Sequence, residues 1–394
     1  MSDLSRIRLV FLTRSLQRGG AEGQMVTLAG LLDRDVFDVS VCAIYGGGPL
    51  REVLEDASIP VYVVGKRGRW DGAEFLLRTV MVLRRFDPDI LHSYMVLANI
   101  TAALTAPLLP GAHIVWGIRG SAIDLSPYPR SFRLFARLER ALARRAHLII
   151  ANSYRGRDDY VAMGYPRERM AVVPNGIDTS WFRPSRAEGR ALRRQWGVRD
   201  DEALIGLVGV LDPVKDQMSF LRAASLLASE RSNTRFVCVG PTPRGSGRGH
   251  YADALQSLSR ELRLDSRLIW AGERTDMPAV YSALDLATSA SASEGFPNCV
   301  AEAMACGTPC VVTNVGDSAA IVGKSEWVVP AGDATALAAA WNCVLAGLPE
   351  TAPSIRRSVR RRITTCFSLE ALRRETERHL IAIAHPRANS PGSP

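Results

Sequence analysis

The sequence predicts an α/β protein made of two domains, each with a doubly wound parallel sheet. Short β-type apolar runs alternate with longer helical patterns from Ile7 to Ala151, and the same alternation begins again at Leu204. Such alternation is typical of βαβ units, whose strands pair in parallel. With 394 residues, of which 47% are hydrophobic and 23% charged, the chain is long and apolar enough to form two cores.

Each series can be followed element by element. The first predicts helices from Glu22 and across Phe75–Arg85, and strands at Ile7–Thr13, Val39–Ala43, Val61–Val64, Ile90–His92, Ile114–Gly117 and Leu148–Ala151. The second predicts helices across Gln217–Ser229 and Tyr251–Leu262, and strands at Leu204–Val210, Arg235–Val239, Leu268–Trp270 and Leu284–Thr288. Proline and Asn-Gly turn signals in Val172–Ser185 predict a hinge between the two series, with a ligand cleft between the domains.

The predicted domain boundaries follow from this hinge and from the pattern of the last residues, as 1–180, 181–364, 365–384 and 385–394. The third segment carries helical periodicity, and we expect it to pack back across the domains. The fourth is rich in Pro, Ser and Asn, which predicts a disordered tail. Pro241–His250 predicts an exposed loop, and Arg356–Arg362 is a basic run on a helix.

The formal charge of +9 indicates an anionic ligand, a membrane surface or an ordinary solvated surface. The chain has three lysines, Lys66, Lys215 and Lys324, against 46 arginines. This skew indicates a codon bias toward arginine, which favours the solvated surface as much as a binding role. No zinc-finger spacing, helix-turn-helix signature or basic strand interleaved with aromatic residues is present, so nucleic acid is not an expected partner.

The cysteines and the hydropathy pattern predict a cytoplasmic protein without a signal peptide. The seven cysteines are odd in number and scattered among apolar neighbours, which does not predict a disulfide framework. Cys306 and Cys310 have no histidines nearby, so we expect no metal site. No apolar run reaches the roughly 20 residues that a membrane-spanning helix needs.

The stretch most informative about chemistry is Ser291–Thr313, a polar loop that opens into a helix. Glu294 lies in the loop and Glu302 about two turns into the helix, which begins near Gly295, Phe296, Pro297 and Asn298. The unpaired N–H groups and positive dipole end of a helix start suit a diphosphate, and carboxylates accept hydrogen bonds from sugar hydroxyls. On spacing alone, however, two glutamates eight apart are more typical of a solvated helix face.

With its neighbours, SEGFPN and EAMACGTP, this stretch strongly resembles glycosyltransferase family 4, and matching segments run from about Ile7 to Leu380. The resemblance implies the GT-B fold, in which an N-terminal acceptor-side domain and a C-terminal nucleotide-sugar-binding domain face each other across a cleft. It implies retaining, metal-independent transfer of a hexosyl group from a UDP- or GDP-linked donor, with no cofactor. It also implies that Glu294 contacts the donor sugar and Glu302 the ribose.

Other segments resemble the same family. Gly19 and Gly20, after the first strand, match the glycine pair that donor phosphates approach closely. Arg274 and Met277 fall in the segment implied to hold the nucleotide base. Val173–Asp178 matches the interdomain motif.

Two further basic positions and one histidine are implied to act near the reacting atoms. Lys215 falls on the lysine of the family's phosphate loop, but Val210 stands where an arginine is usual. We expect Arg119, in the turn after the strand Ile114–Gly117, to replace that guanidinium. His92, at a strand end, reads on its own as a structural imidazole, and the resemblance favours a contact to the donor sugar or leaving phosphate.

The expected partners are a nucleotide-sugar donor and a lipid-linked, lipopolysaccharide or exopolysaccharide acceptor. A nucleotide-sugar 2-epimerase on the same fold is a rival interpretation, as is a nucleotide-sugar-binding subunit that has lost turnover, since Val210 removes a phosphate partner. The sequence does not determine the oligomeric state.

A basic amphipathic helix is predicted at Arg130–Arg145. Its arginines recur at spacings of three and four, and its other faces carry Phe132, Leu134, Phe135, Leu138 and Leu142. This pattern suits a helix lying on anionic headgroups, which predicts peripheral attachment to the inner face of the cytoplasmic membrane. A helix packed on the sheet by its apolar face is an equally good interpretation.

Overall fold

The computed structural model describes residues 6–17, 19–68, 71–120, 130–242 and 249–385, without the side chains of 130–132, 249 and 349–351. Arg18, most of the predicted loop at Pro241–His250 and the predicted tail beyond residue 385 lie outside the described residues. Contacts divide the chain into an N-terminal unit, Met1–Gly176 with Leu369–Pro394, and a C-terminal unit, Ile177–Ser368. The division falls within the predicted hinge.

The N-terminal unit contains a parallel sheet of seven strands in the order β3-β2-β1-β4-β5-β6-β7. In chain order the strands are β1 (Ile7–Thr13), β2 (Phe37–Ala43), β3 (Val61–Val63), β4 (Ile90–Tyr94), β5 (His113–Ile118), β6 (Leu148–Ala151) and β7 (Met170–Val172). The helices are α1 (Gly20–Leu31), α2 (Leu50–Asp56), α3 (Ala73–Phe86), α4 (Met95–Thr105), α5 (Arg130–Leu142) and α6 (Tyr154–Ala162).

Both faces of this sheet are covered, which explains why its strands are almost continuously apolar. Along β1, Leu9 and Phe11 belong to the core on one face. Val10 and Leu12 belong to the core on the other face.

The C-terminal unit contains a parallel sheet of six strands in the order β10-β9-β8-β11-β12-β13. The strands are β8 (Ala203–Val208), β9 (Thr234–Val239), β10 (Leu268–Gly272), β11 (Leu286–Ser289), β12 (Cys310–Thr313) and β13 (Val328–Val329). The helices are α7 (Arg186–Gln195), α8 (Gln217–Glu230), α9 (Gly249–Glu261), α10 (Met277–Ala283), α11 (Asn298–Ala305), α12 (Ser318–Val322) and α13 (Ala334–Cys366). Trp341 of α13 lies in the core, where its indole N–H donates to the hydroxyl of Thr288 at 2.6 Å.

The predicted fold class is confirmed: both units are doubly wound parallel sheets. Every predicted strand overlaps an observed one, and β1 and β6 have the predicted bounds. Strands β7, β12 and β13 have no counterpart among the predicted strands, and β13 has only two residues, too few to show a period. No helix in the described ranges is long and apolar enough to cross a membrane.

The last helix, α14 (Leu369–Ala384), is part of the N-terminal unit although it follows the C-terminal unit in the chain. Leu372 and Leu380 are buried in the core that also contains residues of α1. Glu377 accepts a hydrogen bond from the backbone N–H of Asp33 at 2.9 Å. This helix therefore completes the hydrophobic core of the N-terminal unit.

We expect Leu380→Ala to lower the free energy of unfolding of the N-terminal unit by about 2–5 kcal/mol, because it leaves a cavity in a closed core. Ile381→Ala is the matched control, since this neighbouring side chain is 38% exposed whereas that of Leu380 is 0% exposed. Urea unfolding of both variants measures the difference. Equal effects of the two substitutions would contradict the core position of α14.

Candidate functional site

Each sheet has one switch point, the place where the strand order reverses. In the N-terminal unit it lies between β1 and β4, and in the C-terminal unit between β8 and β11. Ligands of doubly wound sheets bind outside the carboxyl ends of the strands at such points. The predicted residues Gly19 and His92 belong to the first switch point, and Lys215 and Glu294 to the second.

Lys215 and Glu294 form an ion pair that joins the two loops of the second switch point. The ammonium lies 2.5 Å from Oε1 of Glu294, and the side chains are only 26% and 10% exposed. Burial opposes the charge on Lys215, but the adjacent Glu294 outweighs burial and raises the pKa of the ammonium. The ammonium of Lys215 therefore stays protonated at neutral pH.

Neighbouring groups fix Glu294 and its loop in place. Ser291 donates its hydroxyl to Oε1 of Glu294 at 2.7 Å, a contact that the sequence did not reveal. The backbone N–H of Asp317 donates to the carbonyl of Gly295 at 2.9 Å. Gly316, with φ of +53°, packs so closely that a Cβ there would lie 2.4 Å from the carbonyl oxygen of Glu294. The loop that presents Glu294 is thus held by its own unit.

The helix α11 begins directly after this loop. Pro297 is its N-terminal cap residue and Asn298 its first helical residue. Its N-terminus carries the positive end of the helix dipole, which favours an anion. The side chain of Phe296, in contrast, is buried and packs on Phe367 with ring centroids 5.4 Å apart, so only its backbone can face a ligand.

Glu302 is held on the same helix by a tyrosine that spacing alone did not single out. The hydroxyl of Tyr281 donates to Oε2 of Glu302 at 2.7 Å. Burial raises the pKa of Glu302. Burial and the negative charge of Glu302 together raise the pKa of Tyr281 well above its usual value. The charges of Lys215, Glu294 and Glu302 all act on Cys299, so these four side chains are close together.

The two residues predicted at the nucleotide base lie at the start of α10. Arg274 donates to both carboxylate oxygens of Asp276, at 2.8 and 2.6 Å. This bidentate pair holds the guanidinium in one direction. Met277 is the first residue of α10 and packs partly against the core of the C-terminal unit.

At the first switch point the predicted glycine pair opens α1. Gly19 is the N-terminal cap residue of this helix, Gly20 its first residue, and both are exposed. A Cβ at Gly19 would lie 2.3 Å from Oε2 of Glu22, so the carboxylate of Glu22 folds back over the start of the helix.

His92, Tyr94 and Arg119 form a cluster at the ends of β4 and β5. Arg119 donates to the hydroxyl of Tyr94 at 2.6 Å and to Oδ1 of Asn175 at 3.4 Å. Its guanidinium carbon also lies 4.5 Å from the centre of the Tyr94 ring.

His92 is the buried member of that cluster. Neither ring nitrogen has a hydrogen-bond partner among the described residues, which is uncommon for a buried polar group. Burial, followed by the charge of Arg119, lowers the pKa of His92 well below its usual value, so the ring is neutral.

Two doubly wound sheets in one chain, each with polar side chains at its switch point, are the architecture of the GT-B class of glycosyltransferases. Residues 18–181 match the family described as Glycosyltransferase Family 4, and residues 202–346 match Glycosyl transferases group 1. The chain therefore belongs to glycosyltransferase family 4, as the Glu-x7-Glu stretch indicated.

Among similar curated proteins is a D-inositol 3-phosphate glycosyltransferase of Mycobacterium tuberculosis, 30% identical over 235 residues, which are 58% of this chain. The chain spans about half the length of that relative, 47%. Among solved structures, Anabaena HepE in complex with UDP and glucose is 24% identical with a TM-score of 0.84, over 96% of this chain and 100% of HepE. A Rickettsia africae glycosyltransferase has 17% identity and a TM-score of 0.80, over 98% and 100% of the two chains.

The raised pKa of Glu302 predicts a pH-dependent effect of Glu302→Gln on stability. Below the ordinary glutamate pKa of about 4.3 the carboxyl is protonated in both folded and unfolded chains, so it contributes no penalty. As pH rises past that value, the carboxyl ionises first in the unfolded wild type, because burial raises the pKa of Glu302 in the folded chain. The free energy of unfolding of the wild type therefore falls. Glutamine does not ionise and still accepts from Tyr281. We expect the melting temperature of Glu302→Gln, relative to wild type, to rise between pH 4 and pH 7.

The exposed Glu261→Gln is the control, and its difference from wild type should not change in the same direction over this range. A difference for Glu302→Gln that is independent of pH would contradict the burial of this carboxyl.

Proposed function

We propose that the chain is a retaining glycosyltransferase that moves a hexosyl group from a nucleotide-diphosphate sugar to a lipid-linked, lipopolysaccharide or exopolysaccharide acceptor. The observation that carries this proposal is the ion pair between Lys215 and Glu294 at the switch point, beside the start of α11. It places a cation, an anion and the positive end of a helix dipole within one small region. A diphosphate and a sugar hydroxyl need these groups together.

In this proposal the donor binds with its phosphates toward Lys215 and the start of α11. Glu294 accepts from a sugar hydroxyl, Glu302 from the ribose, and Arg274 with Met277 borders the base. UDP is the preferred nucleotide, because HepE binds UDP and glucose on the same fold. Lys215 supplies the positive charge that stabilises the departing diphosphate, so the transfer proceeds without a metal.

Retention requires the acceptor to attack on the face from which the nucleotide leaves. In our proposal the donor's own phosphate takes the acceptor proton, and the charge that develops is stabilised by Lys215 and the N–H groups of α11. His92 is neutral and its nitrogens have no partner within the described residues, so it can bond the reacting sugar. Arg119 donates to Tyr94 and Asn175, which hold its guanidinium beside His92.

We expect Glu294→Gln to lower the transfer rate by about 100-fold or more, because the sugar loses a charged acceptor and Lys215 its counterion. Release of nucleoside diphosphate from a panel of UDP- and GDP-sugars, with a membrane extract or D-inositol 3-phosphate as acceptor, measures the rate. The exposed Glu261→Gln serves as the control. Turnover by Glu294→Gln close to that of the control, with an unchanged melting temperature, would refute the assignment.

The acceptor part of the proposal rests on α5. Leu134, Phe135 and Leu138 are 66%, 45% and 38% exposed, while Glu139 and Leu142 face the interior of the unit. The alternative in which the apolar face packs on the sheet is therefore wrong for these three residues, and Leu142 does not belong to the outward face. The side chains of Arg130 and Phe132 lie outside the described residues.

A buried network fixes this orientation of α5. Glu139 accepts from the amide of Asn99 at 2.7 Å and from the hydroxyl of Tyr165 at 3.1 Å. Ser93 in turn donates to Asn99 at 2.8 Å. With Glu139 held inside, the exposed leucines and phenylalanine share the outer surface with Arg137 and Arg140. We therefore propose that α5 lies against the anionic inner face of the membrane, beside a lipid-borne acceptor.

Replacement of Arg133, Arg137 and Arg140 by Gln should reduce binding to anionic vesicles and leave the weak binding to zwitterionic vesicles unchanged. Each arginine that reaches the surface contributes up to about 1 kcal/mol, and salt should weaken the effect. Sedimentation with the two vesicle types measures it. Replacement of Arg51, Arg85 and Arg155, exposed on α2, α3 and α6, removes the same charge elsewhere. If both triple variants bind equally, α5 is only a solvated helix.

A further inference from the structure

The C-terminal unit contains a second recess, lined by arginines from the basic run on α13. Its volume is about 270 Å³, and Arg186, Arg356, Arg357, Arg360 and Ser282 are among the residues that line it. Ser282 lies near the end of α10, and Cys306 and Gly307 of the same recess follow the end of α11. The recess is therefore at the opposite ends of these two helices from Met277 and Asn298.

Two of the basic residues have structural partners. Arg360 donates to the carbonyls of Thr179 at 3.0 Å, Phe182 at 2.9 Å and Ala305. Arg356 is half-buried and donates a long hydrogen bond of 3.4 Å to the carbonyl of Leu284.

The carboxylate nearest to Arg356 is already used by another arginine. Asp285 lies 3.8 Å from Arg356 but 2.8 Å from Arg193. Arg186 and Arg357 are exposed, and neither has a hydrogen bond or ion pair to any residue that the structure describes. The recess thus carries more positive charge than the carboxylate of Asp285 neutralises.

This excess has an energetic consequence at Arg356. Burial disfavours its charge, Asp285 partly compensates, and the positive charges of Arg186 and Arg193 repel it, so that its pKa lies below the usual arginine value. An arginine nevertheless remains protonated at neutral pH. A bound oxyanion would relieve this repulsion, and guanidinium groups match phosphate oxygens in a two-bond geometry.

We propose that this recess binds a phosphate or diphosphate group, held by Arg186, Arg356 and Arg357, at a site separate from that of the donor. Its volume is below the roughly 300–1,000 Å³ of pockets for drug-sized ligands, which suits a phosphate or diphosphate group better than a whole nucleotide sugar. The group comes either from a free phosphorylated molecule or from a lipid headgroup. The inference does not rest on the proposed transfer activity.

Calorimetric titration of the full chain with inorganic pyrophosphate at fixed ionic strength tests the site. We expect the double variant Arg186→Gln, Arg357→Gln to bind pyrophosphate at least tenfold more weakly than wild type. The control removes the same charge at the exposed Arg222 and Arg263, which lie outside the recess. Lys215→Met separates this site from the donor phosphates, and it should retain the binding that the recess variant loses.

The melting temperatures show whether a loss of pyrophosphate binding is caused by a loss of folding. Without pyrophosphate, the recess variant should melt at or above the wild-type temperature, because two repelling charges are gone. Pyrophosphate should then raise the melting temperature of the wild type more than that of the variant. Binding that survives in the recess variant, or that disappears in Lys215→Met alone, would overturn the proposal.

A vesicle-binding experiment distinguishes a lipid headgroup from a free phosphorylated molecule as the source of the phosphate. Vesicles that display lipid phosphomonoester headgroups should bind the wild type better than the recess variant if the ligand is a lipid. If the ligand is a free molecule, the two proteins should bind these vesicles equally while still differing toward pyrophosphate. If the wild type and the recess variant bind pyrophosphate equally and bind the vesicles equally, the recess is not a phosphate site.

Discussion

The ion pair between Lys215 and Glu294 is the interaction on which the candidate site of the C-terminal unit depends. It connects the loops after β8 and β11, the two central strands between which the strand order reverses. Its geometry is set by the sheet and, at Glu294, by Ser291 and Gly316 beside it. A rigid sheet therefore fixes a charged pair at a place that side chains of flexible loops alone would not hold.

Much of the fold could be predicted because the physical signals are local. The strands covered on both faces appear as continuous apolar runs, and the break at Val172–Ser185 contains Pro and Asn-Gly. The resemblance to the family was most specific in the stretch around Glu294 and Glu302. The edge strand β13 was not predicted, because its two residues show no period.

Other features depend on contacts between residues far apart in the chain, and such contacts cannot be predicted from a single sequence. The outward direction of α5 follows from Glu139 meeting Asn99 and Tyr165 inside the unit. Nothing in the heptad-like pattern of α5 indicates that its one glutamate faces inward and its leucines outward. Likewise, Phe296 has the sequence position of a ligand-facing residue, but its ring is directed into the core by Phe367.

The position of α14 affects how the protein can fold during synthesis. The hydrophobic core of the N-terminal unit includes Leu372 and Leu380, which the ribosome makes only after the whole C-terminal unit. At about 5–20 residues per second, the roughly 190 intervening residues delay this helix by about 10–40 s. During that interval, apolar side chains of α1 that α14 later covers are accessible to water and to chaperones. The unit translated first is thus the unit whose core closes last.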